Sequence, residues 1–198
     1  MRIGYFGGSF DPVHKGHLTL VKEVRELAQL DEVFLVPTCR APHKIHRRAT
    51  SGLHRVKMLE IAIEDEPNLS IDTREINRDG PTYTVDTMRE IRAERPQDDL
   101  FFLIGMDSLA DLPTWYCIEE LSALVTFLVA LRPGHKTEDA DAILAGSIIK
   151  YEILPTTAVD VSSTGLRREI AQGANTADLV MPQVGEYIRG AKLYQTTY

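Results

Sequence analysis

The sequence predicts an α/β protein, a doubly wound parallel sheet with helices on both faces, and residues 1–198 as one domain. Three observations carry this. Short runs of β-branched and large apolar residues alternate with longer segments of helical periodicity, the pattern of successive strand–helix units. The run Leu100 to Ile104 is apolar throughout and bounded by Gly105, as suits a central strand. A chain of 198 residues, 43% hydrophobic and 26% charged, is large enough to bury one sizeable core.

Taken in order, Arg2 to Phe6 reads as the first strand. Leu18, Val21, Val24 and Ala28, with Leu20 and Leu27 alongside, trace the apolar stripe of a helix. Glu32 to Val36 is a strand stopped by Pro37, and a second helix is expected over Gly52 to Ile63, with Val56, Leu59, Ala62 and Ile63 on one face. Leu69 to Asp72 reads as a short strand and Thr84 to Ala93 as a helix. After the central strand, Leu124 to Leu131 forms another, ended by the turn Arg132-Pro133-Gly134, and Lys150 to Leu154 a further one. Helices follow over Ser163 to Ala171 and Gln183 to Arg189, the second with Pro182 in its first turn and Gly190 just past its end. In such a sheet, ligands bind at the carboxyl ends of the strands, near the point where strand order reverses.

Composition excludes several classes. A net charge of −7 argues against a general nucleic-acid or anionic-membrane binder. No uncharged apolar run approaches the roughly 18 residues that span a bilayer. Met1 to Gly8 has no hydrophobic region followed by a cleavage site, so it reads as mature sequence. Cys39 and Cys117 stand far apart, and reduced thiols in a cytoplasmic protein are the simpler reading. Small phosphorylated ligands stay open, because they need only a local cluster of cations and N–H groups.

The first strand runs into Gly7-Gly8-Ser9-Phe10-Asp11-Pro12-Val13-His14-Lys15-Gly16-His17. Neither common phosphate-loop pattern is present, and Gly134-His135-Lys136-Thr137 reads only as a turn. Paired glycines still allow close approach of a ligand to the backbone, and the helix start offers N–H groups and a partial positive charge. His14 and His17, three positions apart, fall on one side of the first turn, where both can donate to one anion. Taken singly, each of these features is more often structural than functional. The whole string in its strand–loop–helix context is far more specific.

Gly8-Ser9-Phe10-Asp11-Pro12 followed by His14-x-Gly16-His17 resembles the signature of the H-x-G-H nucleotidylyltransferase superfamily. Further segments are similar to its nicotinate-nucleotide adenylyltransferase family. These are Ala41-Pro42-His43-Lys44 (Ala41 departing from the family's first Pro), Gly80-Pro81-Thr82-Tyr83-Thr84, Gly105-Met106-Asp107, Leu112-Pro113-Thr114-Trp115 and Ser162-Ser163-Thr164-Gly165-Leu166-Arg167. The tail through Pro182, Val184, Tyr187, Ile188, Leu193 and Tyr194 fits as well, so the likeness spans essentially the whole chain.

The resemblance implies a Rossmann-like sheet of the nucleotidylyltransferase type and adenylyl transfer from ATP to nicotinate mononucleotide. It assigns His14, His17 and Arg167 to catalysis. Gly7, Gly8, Ser9, Phe10, Gly105, Asp107, Ser163 and Thr164 join them around ATP. Ser9, His43, Lys44, Thr84, Trp115 and Tyr116 fall to the mononucleotide, with Trp115 stacked on the pyridine ring. Mg²⁺ would arrive with ATP, with no metal site of the protein's own, and a homo-oligomer stays open.

The residues allow other readings. Ser162, Ser163 and Thr164 are good N-caps, Asp107 suits ribose hydroxyls, a metal-bound water or the cap of a short helix, and Trp115 suits the core. Arg167 suits phosphate by its planar fork, or solvent beside Arg168. Cys39, His43 and His46 match no common zinc spacing, and Arg47 and Arg48 read as solvated. The rivals are a phosphopantetheine adenylyltransferase, which leaves the Trp115 segment and the Gly80-to-Thr84 turn unexplained, and a non-catalytic nucleotide sensor.

Overall fold

A computed structural model describes residues 1–38, 50–78, 80–131, 137–157 and 161–195. Six strands form one sheet: β1 (Arg2–Gly8), β2 (Glu32–Pro37), β3 (Leu69–Ile71), β4 (Asp99–Gly105), β5 (Thr126–Leu131) and β6 (Tyr151–Pro155). Their order is β3-β2-β1-β4-β5-β6, and every pairing is parallel. The order reverses between β1 and β4, whose carboxyl ends at Gly8 and Gly105 therefore flank the crevice where such sheets bind ligands.

The helices are α1 (Lys15–Leu27), α2 (Gly52–Ala62), α3 (Thr84–Glu94), α4 (Met106–Leu109), α5 (Ile118–Leu124), α6 (Thr137–Leu144), α7 (Ser163–Ala171) and α8 (Pro182–Gly190). Strand alternation sorts the core into two layers. Leu35, Phe101, Leu103, Leu128 and Ala130 face α1, α2, α7 and α8, meeting Val21, Met58, Leu166 and Val184. Val36, Leu100, Phe102, Ile104 and Phe127 face the opposite way, onto Val85, Met88, Leu109 and Leu121.

The long elements fall where periodicity put them, and the differences have local causes. Leu124 ends α5 instead of opening β5, because α5 carries the chain straight into the strand. The buried face of α2 is Arg55, Met58, Leu59 and Ala62, so Val56 and Ile63 flank it. Leu27 is exposed on α1, while Leu18, Val21, Val24 and Ala28 form the buried stripe. The Arg132-Pro133-Gly134 turn and the segment Gly134 to Lys136 lie outside the described residues.

Candidate active site

β1 delivers the chain to the crevice at Gly8, and the next residues turn sharply into α1. Phe10 sits in the left-handed region at φ 45°, and its ring folds back over Gly8. A Cβ on Gly8 would stand 2.8 Å from that ring, so no larger residue fits there without displacing it. The Phe10 side chain is thus core, and what Phe10 can offer a ligand is its backbone N–H.

Four of the loop's carbonyls are turned to donors in the protein. Gly8 O accepts from the Thr38 N–H at 2.9 Å, and Ser9 O from Arg55 Nη1 at 2.7 Å. Asp11 O accepts from Arg167 Nη1 at 2.5 Å, and Pro12 O from Ser163 Oγ at 3.1 Å. In a trans peptide the N–H points opposite to the preceding carbonyl. The N–H groups of Ser9, Phe10 and Val13 therefore point away from Thr38, Arg55 and Ser163. For Ser9 that direction is the β4 side of β1, into the crevice. Backbone N–H groups presented this way make an anion cradle.

His14 is the N-cap of α1, and its ring stacks on that of His17 with centroids 3.6 Å apart. His17 Nδ1 accepts the His14 backbone N–H at 3.2 Å. With Nδ1 used as an acceptor, the neutral ring carries its proton on Nε2 and can donate it. Burial, and then the neighbouring His14, hold the His17 imidazole well below its usual pKa. The ring is therefore a neutral donor at pH 7. The helix start itself offers less than a bare terminus, because the Lys15 N–H is already given to Leu179 O at 2.9 Å.

Across the loop, Ser162 caps α7 by accepting the Gly165 N–H at 3.1 Å, and Arg167 Nη2 donates to Thr164 Oγ1 at 3.1 Å. Ser163 and Arg167 thus sit directly against the first loop, with Thr164 bonded to Arg167, and Arg167 is held there by protein instead of lying in solvent. Gly105 is the N-cap of α4, and Asp107 is in that helix's first turn, not at its cap. A Cβ on Gly105 would meet nothing within 4 Å among the described residues, so they leave the crevice open at that point. The side chain of Asp107 lies outside what is described.

The opposite wall follows β4. Trp115 ends a 3-10 turn, Leu112–Thr114, and stands edge-on to Phe102 at 6.0 Å and to Phe127 at 6.3 Å. It is half-buried, with part of the ring against the core and part of it accessible. Tyr116 is exposed and lies 4.7 Å from the ring of Tyr83, the N-cap of α3, which places Thr84 at that helix's first position. Cys117, the N-cap of α5, carries an exposed thiol. His43 and Lys44, with Cys39, His46, Arg47 and Arg48, lie outside the described residues.

Three residues of this site escaped the reading of the sequence. Arg55 was visible in principle, as a charged residue four positions before Leu59 on the buried face of α2. Asp11 was noted only within its motif, and Tyr194 only as part of the tail. Yet the Tyr194 hydroxyl donates to Asp11 Oδ1 at 2.6 Å, across 183 residues of chain.

A parallel sheet with a glycine loop at its switch point, stacked histidines and an N–H cradle defines a nucleotidyl-transfer class. Residues 5–169 match the model of the cytidylyltransferase-like family. The chain is 37% identical over 195 residues to the nicotinate-nucleotide adenylyltransferase of Bacillus subtilis, covering 98% of this chain and 99% of that protein. It is 41% identical over 189 residues to the probable nicotinate-nucleotide adenylyltransferase of Streptomyces coelicolor, covering 96% and 98%. In fold it superposes with a TM-score of 0.80 on the Plasmodium falciparum nicotinic acid mononucleotide adenylyltransferase complexed with NaAD, at 22% identity and covering 99% and 98%. The chain belongs to the nicotinate-nucleotide adenylyltransferase family. Among the described residues, no helix is long and apolar enough to cross a membrane.

Proposed function

We propose that this chain, acting as one catalytic domain in the cytoplasm, transfers the adenylyl group of ATP to nicotinate mononucleotide. The products are nicotinate adenine dinucleotide and pyrophosphate. The observation that carries the reading is the stacked His14–His17 pair, with His17 neutral, beside a loop four of whose carbonyls are given to protein donors. Such a surface is made for a polyanion.

An oxygen of the mononucleotide 5′-phosphate attacks the α-phosphorus, a new P–O bond forms, and the bond to the β-phosphate oxygen breaks as pyrophosphate leaves. The nucleophile is already anionic, so no general base is needed. Catalysis is positioning and charge stabilisation. The N–H groups of Ser9 and Phe10, with Gly7 and Gly8 allowing close approach, hold the triphosphate. His14, the His17 Nε2–H and Arg167 stabilise charge on the transferring and leaving phosphates. A polyanion near His17 raises its proton affinity, so a ring that enters neutral can strengthen its donation as charge builds. Ser163 and Thr164 hold Arg167 and the loop together, and the open side of Gly105, with Asp107, admits the nucleoside.

On the other wall, Trp115 offers a ring face to the pyridine. Tyr116 and the α3 start at Thr84 flank it, and His43 and Lys44 are assigned the mononucleotide phosphate. Mg²⁺ fits as a companion of ATP more than as a resident of the protein. The one buried carboxylate of the loop, Asp11, is given to Tyr194 and the Thr50 N–H. The ion would be held by phosphate oxygens and water, where it neutralises the charge of the leaving pyrophosphate.

The test is pyrophosphate release from ATP and Mg²⁺ with a panel of acceptors. Nicotinate mononucleotide should be strongly preferred to nicotinamide mononucleotide, because a pocket of donors leaves an amide NH₂ facing another donor. Such polar mismatch can discriminate by up to about four or five powers of ten in kcat/KM. A ratio near one rejects the nicotinate assignment, and activity with phosphopantetheine alone moves the chain to a different acceptor.

A further inference from the structure

The C-terminal tail reaches the first loop through the Tyr194 hydroxyl. After α8 the chain turns through Lys192 at φ 54° and Tyr194 at φ 60°, both left-handed and both non-glycine. A bulky aromatic residue adopts that region only when its surroundings fix it. Here the ring is packed into the α1, α2, α7 and α8 layer, and the hydroxyl ends 2.6 Å from Asp11 Oδ1. Both partners are buried, at 4% and 6% exposure, so the bond is shielded from water. Burial and the Asp11 charge push the Tyr194 hydroxyl well above its usual pKa, so it remains a donor throughout the working range.

Asp11 is bonded through both its side chain and its backbone. Its second carboxylate oxygen accepts the Thr50 N–H at 3.3 Å, and its carbonyl carries Arg167 Nη1. The same Arg167 nitrogen stands 4.0 Å from Asp11 Oδ2, an ion-pair distance that a small rotation of the carboxylate would shorten. An Asp11 deprived of its tyrosine donor has a cation within reach to turn to. Arg167 would then spend its charge on Asp11 instead of on phosphate.

We propose that Tyr194 is a positioning residue for nucleotidyl transfer: by holding the Asp11 carboxylate, it keeps the Ser9-to-Pro12 loop and Arg167 in the conformation that receives the triphosphate. The proposal rests on the assignment of that loop to ATP. Tyr194→Phe tests it, since the ring stays and only the donor goes. The full-length variant should lose about ten-fold or more in kcat, the scale of one hydrogen bond to a charged group, with KM for nicotinate mononucleotide within about three-fold of the parent.

A purely structural tyrosine would lower the melting temperature and leave kcat of the folded enzyme alone. The double-mutant cycle with Asp11→Asn separates the two further. If Tyr194 acts through Asp11, the double variant is no slower than Asp11→Asn alone. Multiplying losses, or Tyr194→Phe with kcat within about two-fold of the parent, overturn the proposal. His17→Ala run in the same assay shows which claim has failed. Full activity there removes the loop assignment and this proposal with it. A large loss in His17→Ala beside full activity in Tyr194→Phe removes this proposal alone.

Discussion

On the β1 side of the crevice, loop carbonyls meet four donors from three different places in the fold: Thr38 after β2, Arg55 on α2, and Ser163 and Arg167 on α7. On the β4 side a short helix, a 3-10 turn and α5 follow one another, and the contacts are ring against ring: Trp115 on Phe102 and Phe127, Tyr83 on Tyr116. The difference matches what each wall would do. Dipoles that stabilise developing charge work best when nothing has to reorganise, which demands a hydrogen-bonded frame fixed beforehand. A flat heteroaromatic ring is held adequately by faces and edges, which tolerate small displacements.

The sharpest way to break that contrast is His17→Ala. It removes one donor from the fixed wall and should cut kcat by about two to three powers of ten, the scale of losing an oxyanion-type donor. The fold should survive, because the loop is pinned by Thr38, Arg55, Ser163 and Arg167, none of which depends on His17. Steady-state kinetics with circular dichroism on the same sample checks both halves. Near-normal kcat in the folded variant would remove His17 from the chemistry.

A smaller effect is expected on the other wall. Trp115→Ala should raise KM for the mononucleotide by about ten- to one-hundred-fold, matching the roughly 1–3 kcal/mol of a base–aromatic stack, and leave KM for ATP nearly unchanged. Because Trp115 is the only tryptophan, its emission should change as nicotinate mononucleotide binds the parent enzyme. No emission change together with an unaltered acceptor KM would assign Trp115 wholly to its contacts with Phe102 and Phe127.

The same contrast explains what could be read from the chain. The β1 wall's chemistry is local: glycines, two histidines and a helix start within a few residues of one strand, so Gly7 to His17 was legible as a unit. The β4 wall was legible in its single tryptophan but not in its backbone. α4, the 3-10 turn and α5 are each too short for a helical period to show, which is also why Leu124 read as strand. The supports of the β1 wall were the least visible. Arg55 and Tyr194 touch the loop from across the fold, and no spacing in the sequence encodes a contact between Asp11 and Tyr194.

The smallest expected effect concerns what lies beneath the acceptor wall. Glu75, between β3 and α3, is buried, and its Oε1 accepts from Thr87 Oγ1 at 2.8 Å. Thr87 Oγ1 in turn accepts from Arg78 Nη1 at 3.1 Å, and Glu75 Oε2 meets no donor among the described residues. Burial raises the Glu75 carboxyl pKa, with the Thr87 and Thr82 hydroxyls and the Arg78 charge pulling it partly back. A carboxyl whose pKa is raised on folding binds its proton more tightly in the native state than in the unfolded one. Stability therefore falls as pH climbs from the ordinary value of 4.5 through the raised one, and stays at the lower level above it. Glu75→Gln keeps the shape, cannot ionise and retains an acceptor for Thr87. It should melt higher than the parent at pH 7, by about 2–4 °C if about 1 kcal/mol is recovered, and the gap should close as pH approaches 4.5. Melting curves of both proteins across that pH range decide it. A Gln variant that melts lower at pH 7 would mean that Glu75 is ionised and held by Arg78. The acceptor wall would then rest on a charge pair, and it would resemble the β1 wall more than the packing of its rings suggests.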